Sequence, residues 1–131
     1  MFQPVRILLV EDDEDDIAFF ELALREQAIP TRLTTLTDGD QVMPYLDTTT
    51  EQPDLLVLDL NLPKLPGRDV LSQVRQSNAG QGIPIIILST SSAREDNDFC
   101  LANGADRFLT KPTSLTSLST MLAEVLGVIV R

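Results

Sequence analysis

The groups able to do chemistry in this chain are oxygens and an ammonium at four separated places. "RILLVEDDEDD", residues 6 to 16, passes from strand-forming apolar residues into six consecutive acids, Glu11 to Asp16. A carboxylate, Asp59, follows "DLLVL"; a hydroxyl, Ser89, ends "IIILS"; an ammonium, Lys111, follows "RFLT". Carboxylates crowded together repel, one is driven toward protonation, and a divalent cation relieves the strain. Magnesium suits such a set, because it takes oxygen ligands, keeps several waters and is held by one or two carboxylates plus a phosphate oxygen. Asp12 and Asp59 are the expected direct ligands. Glu11, directly or through water, and the Asn61 carbonyl are candidates to complete the shell. A structural calcium site is the alternative, but the D-x-D-x-D-G loop that calcium hands use is absent.

Composition removes several other classes. The chain contains no histidine, which excludes His-based acid–base catalysis, His-containing triads and nearly every zinc site. A net charge of −10 repels phosphate backbones and anionic lipid, so direct nucleic-acid or membrane-surface binding is not expected. No apolar stretch approaches the roughly 20 residues of a membrane span. Met1 to Pro4 leads straight into a strand without a secretory pattern, and the single cysteine, Cys100, allows no internal disulfide. A cytoplasmic protein is expected, with Cys100 a small buried apolar residue. At 131 residues the chain reads as one domain, 1–131, without an output domain.

The elements that must position these groups alternate in type. Three short apolar runs, at 5 to 10, 54 to 60 and 83 to 88, read as strands covered on both faces. "TRLTTLT" at 31 to 37 and "DRFLT" at 106 to 110 are weaker and suit sheet edges. Between them lie helical patterns: Ile17, Phe20 and Leu24 form one stripe, Val42, Tyr45 and Leu46 another, and Val70, Leu71 and Val74 a third. Asn103-Gly104 is a good C-terminal cap for the fourth helix, and the fifth runs from a Ser114 cap to Gly127. Five βα alternations without a hairpin signal predict a parallel sheet with helices on both faces. Placing the most apolar strands centrally predicts the order 2-1-3-4-5, an α/β flavodoxin-like (βα)5 sandwich.

In that order ligands bind beyond the carboxyl ends of the strands, where the first and third diverge. Glu11 and Asp12 emerge there from the first strand, Asp59 from the third, Ser89 from the fourth and Lys111 from the fifth. Asp13 to Asp16 fall in the first turns of a helix, whose N-terminal dipole favours anions, and read as solvated. Asp13 stays open between capping that helix and reaching toward the site.

These residues and spacings resemble the receiver domain of two-component response regulators, over essentially the whole chain. "ILLVEDD", "LVLDLNLPKLPG", "IIILST" and "GADRFLTKP" occur in that family's order and at its spacings. The resemblance implies that Asp59 is the phosphoacceptor, Glu11 and Asp12 the acidic pair that binds Mg2+, and the Asn61 main chain a metal ligand. It implies Ser89 as switch hydroxyl, Phe108 as switch aromatic and Lys111 as the phosphate-contacting lysine, with a cis bond at Lys111-Pro112. By the same resemblance the protein catalyses its own phosphoryl transfer from a histidine kinase and a slow autodephosphorylation, and changes the face over the fourth helix, fifth strand and fifth helix. Glu11 stands where aspartate is commoner, Ser89 replaces threonine, Thr90 replaces alanine and Pro66 a polar residue; none removes a required group.

"DLNLPKLPGRDVL" looks like the small stand-alone regulators paired with phytochrome-type histidine kinases. The expected partners are such a kinase and a downstream protein target or histidine phosphotransfer protein. The apolar ending "VLGVIVR" either packs on the core or joins a homodimer face. Two rival classes lack their signatures: a flavin module would need a Ser/Thr/Gly-rich phosphate loop where the acids stand, and a nucleotide hydrolase G-x-x-x-x-G-K-[ST]. A degenerate receiver, binding partners without phosphorylation, remains the alternative.

Overall fold

The computed structural model describes residues 3–129. Strands β1 (Val5–Val10), β2 (Thr31–Leu36), β3 (Leu55–Leu58), β4 (Ile85–Ser89) and β5 (Arg107–Thr110) form one parallel sheet in the order β2-β1-β3-β4-β5. They alternate with helices α1 (Glu14–Arg25), α2 (Val42–Thr48), α3 (Gly67–Gln76), α4 (Arg94–Ala102) and α5 (Leu115–Ile129). This is the predicted flavodoxin-like fold.

The two-residue period of the strands explains the two cores. Leu8, Val10, Leu56, Leu58, Ile85 and Ile87 face one side and pack with Leu46, Val70, Leu71, Val74 and Cys100 from α2, α3 and α4. The intervening residues Ile7, Leu9, Leu55, Val57, Ile86 and Leu88 face α1 and α5, against Phe20, Leu24, Leu118 and Leu126. Each fully buried side chain of this kind stabilises the fold by about 1.5–3 kcal/mol relative to exposure. β2 and β5, the edges, have no fully buried residue, which is why their sequences read as weaker.

Local signals behave as their chemistry dictates. Ser114 Oγ accepts from the Ser117 N–H at 3.1 Å and caps α5, and Gly104 takes a φ of 100° just past α4. Three features depart from the sequence reading. A 3-10 turn, Gly39–Gln41, precedes α2, leaving Pro44 in the first helical turn proper. α5 continues through Gly127 to Ile129, because Ile129 packs on the α1–α5 core; Val128 is exposed, and Val130 and Arg131 lie outside the described residues. The described residues contain no cis peptide bond, so Lys111-Pro112 is trans, contrary to the expectation. The trans form is favoured even before proline, and from it the Lys111 side chain already reaches the carboxylates opposite.

Sheet register brings the strand ends level. Val10 pairs with Leu58, and the Asp59 N–H donates to the Val10 carbonyl at 3.1 Å, so Glu11 and Asp59 leave adjacent strands together. Ser89 pairs with Thr110, and the Lys111 N–H donates to the Ser89 carbonyl at 2.7 Å.

Candidate functional site

The carboxylates of Glu11, Asp12 and Asp59 meet at this edge, each offering an oxygen within 4.8 Å of the others. Glu11 and Asp59 are buried, at 3% and 5% exposure, whereas Asp12 is exposed and marks the side open to solvent. The Asn61 N–H donates to Asp59 Oδ1 at 3.3 Å. Lys111 Nζ donates to Glu11 Oε1 at 2.6 Å, Asp16 Oδ2 at 2.7 Å and Asp59 Oδ2 at 3.3 Å. Three carboxylates therefore surround one ammonium, and a fourth, Asp12, stands beside two of them. The hard oxygen donors and surplus negative charge fit a small divalent cation.

Burial and charge set the protonation of this group. Burial is the largest influence on Glu11 and, with the neighbouring Asp59, pushes its pKa from 4.5 to about 7, although the Lys111 hydrogen bond pulls the other way. Burial alone would lower the Lys111 pKa, but the hydrogen bonds to Asp16 and Glu11 outweigh it and hold the ammonium above its ordinary range.

The loop from Asp59 to α3 has little room to vary. The Gly67 N–H donates to the Leu60 carbonyl at 3.0 Å, and a Cβ at Gly67 would lie 2.3 Å from the Asp59 carbonyl oxygen. Lys64 takes a left-handed φ of 68°, unusual for a side chain of this type, and its ammonium lies 3.3 Å from Asp38.

The sequence-predicted residues are thus only partly gathered. Glu11, Asp12, Asp59 and Lys111 converge, with Asn61 alongside. Ser89 is fully buried at the end of β4, and its Oγ accepts from the Ser91 N–H at 3.1 Å. Phe108 pairs with Ile87 and packs half-buried on the α2–α3–α4 core. Asp13 resolves as the α1 cap, its carboxylate accepting from the Asp16 N–H at 3.0 Å.

Asp16, read from sequence as a solvated acid, is the residue that reading missed. It lies four positions before Phe20, which is 2% exposed, so it shares the inward face of α1. That spacing was the available signal. A second unread connection links Ser91 Oγ to Asp96 at 2.6 Å, and Asp96 to Arg68, whose guanidinium lies 4.3 Å from the centre of the Phe99 ring.

Comparison with known proteins agrees with this geometry. Residues 7–123 match the family described as the response regulator receiver domain. Response regulator Rcp1 of Synechocystis sp. is 35% identical over 127 residues, which cover 93% of this chain and 86% of that protein. The crystal structure of the phosphorylated cyanobacterial phytochrome response regulator RcpA is similar at a TM-score of 0.86 and 32% identity, covering 94% of this chain and 91% of RcpA. The Mn2+-bound form of Rcp1 is similar at a TM-score of 0.84 and 32% identity, covering 95% and 93% of the two chains. The chain belongs to the response regulator receiver domain family of two-component signalling.

Proposed function

We propose that the protein accepts a phosphoryl group from the phosphohistidine of a histidine kinase onto Asp59, with Mg2+ held by Glu11, Asp12, Asp59 and the Asn61 main chain. The observation that carries this is the meeting of a buried carboxylate, two further acids and a lysine at one strand edge. An oxygen of Asp59 attacks phosphorus, the P–N bond breaks, and its electron pair leaves on the imidazole, which takes up a proton. Lys111 holds its charge next to Asp59 and neutralises a developing phosphoryl oxygen. When bound, Mg2+ supplies further neutralisation of the phosphoryl oxygens. The histidine-free chain cannot be its own donor.

After transfer, Ser89 turns its hydroxyl from the Ser91 N–H to the new phosphoryl oxygen, and Phe108 follows into the space released. Phosphate biases this pair only through contacts better made in one state. The altered surface is that of α4, β5 and α5, which binds a downstream protein or a histidine phosphotransfer protein. It also serves as a homodimer face, which light scattering with and without a phosphoryl mimic would test. The similarity to Rcp1 and RcpA supports a phytochrome-type kinase as donor.

Incubation with acetyl phosphate and Mg2+, read by intact mass, tests the central step. The expected result is one added phosphoryl group on the wild type and none on Asp59→Asn. An unlabelled wild type, under conditions that label a control receiver, would favour a phosphorylation-independent interaction module.

A further inference from the structure

We infer that Asp16 is a positioning residue for the phosphoryl transfer: its carboxylate anchors the Lys111 ammonium from the α1 side and leaves one N–H directed at Asp59. This rests on the reading of Asp59 as phosphoacceptor.

An ammonium has three N–H donors, and three carboxylates meet the one on Lys111. Asp16 and Glu11 take the short bonds, at 2.7 and 2.6 Å, while Asp59 takes the long one, at 3.3 Å. The loosely held donor is therefore the one aimed at the reacting group. Glu11 and Asp59 both belong to the trio that converges for a cation, whereas Asp16 stands outside it. Asp16 is thus the one partner of Lys111 with no other duty at the site.

Its own placement is well supported. Asp16 lies in the first turn of α1, where the helix dipole favours a negative charge, and its N–H is tied to the Asp13 cap at 3.0 Å. Phe20, one turn on, is fixed in the α1–α5 core. A rigid helix thus fixes the carboxylate, and the carboxylate fixes the end of a long flexible side chain. When a phosphoryl oxygen arrives beside Asp59, the third N–H transfers to it while the bond to Asp16 persists. Positioning of this kind is lost steeply with small displacements.

Asp16→Asn keeps the shape and removes the charge. Its maximal rate of labelling by acetyl phosphate at saturating Mg2+ should fall about tenfold. Half-saturating Mg2+ should stay within about twofold, because Asp16 is not among the converging carboxylates. On a Lys111→Met background the same change should slow labelling no further, since the group it positions is gone. Asp16→Glu, which restores the charge at a shifted distance, should fall between wild type and Asp16→Asn. Lysine 15N NMR gives a readout independent of activity: the protected Lys111 Nζ signal should be visible in the wild type and broadened in Asp16→Asn, with circular dichroism unchanged. Wild-type labelling rates in Asp16→Asn, or equal slowing with and without Lys111, would overturn the inference and leave the phosphoacceptor reading intact. A wild-type chain that takes no label would overturn both.

Discussion

Glutamine in place of Glu11 should abolish a pH dependence of stability that this one side chain imposes. Glu11 is 3% exposed, and burial first of all, then Asp59, moves its pKa from 4.5 to about 7 against the pull of Lys111. A carboxyl that binds its proton more tightly in the folded state contributes stability that is complete below its unfolded pKa and lost as pH rises through its folded one. The window therefore runs from 4.5 to about 7, and stability falls with rising pH across it. At about 1.4 kcal/mol per pH unit the full effect is about 3 kcal/mol, most of it between about pH 5 and about pH 8.

Urea unfolding in EDTA, with wild type and Glu11→Gln side by side, is the assay. The other titrating groups are common to both chains, so the difference between them isolates Glu11. That difference should shift against the wild type by about 2–3 kcal/mol between about pH 5 and about pH 8. Saturating Mg2+ should restore wild-type stability more at about pH 8 than at about pH 6, where the cation must first displace the proton. A difference that stays flat across the range would refute the claim that burial keeps this carboxylate protonated near neutrality.

Three further perturbations probe what supports the site. Arg75 donates to the carbonyls of Gly104 and Ile83 at 2.7 Å and of Gly80 at 2.9 Å, and pairs with Asp106; Arg75→Met should cost about 2–4 kcal/mol in urea unfolding without altering Mg2+ affinity. Gly67→Ala forces a methyl to within 2.3 Å of the Asp59 carbonyl oxygen, so it should destabilise by about 1–3 kcal/mol and slow acetyl phosphate labelling; unchanged labelling would show that the loop relaxes freely. Ser91 bridges Asp96 at 2.6 Å and accepts the Ala93 N–H at 3.1 Å, so Ser91→Ala should raise amide exchange in the first turn of α4 about tenfold while leaving β4 protected.

Most of the architecture was legible because it depends on patterns within single elements. Burial on both faces of β1, β3 and β4 follows from unbroken apolar runs, and the helix caps follow from local chemistry, the Ser114 hydroxyl three residues from the N–H it serves and the left-handed backbone that Gly104 allows. The gathering of Glu11, Asp12, Asp59 and Lys111 was legible one level higher, from strand order, since in a parallel sheet every such strand delivers its next residue to the same edge. Helix ends were less so: Gly127 reads as a stop, yet packing of Ile129 carries α5 past it.

The amino-acid sequence by itself determined which side chains emerge at that edge, because composition and two-residue periodicity act locally. Only the tertiary structure decided which of them touch. Asp16 and Lys111 lie 95 residues apart, and their 2.7 Å contact depends on how α1 seats Phe20 against the sheet. Burial of Glu11, and with it a pKa of about 7, likewise exists only once β1, β3 and β5 are in register, since desolvation is a property of everything packed around a group and not of its neighbours in the chain.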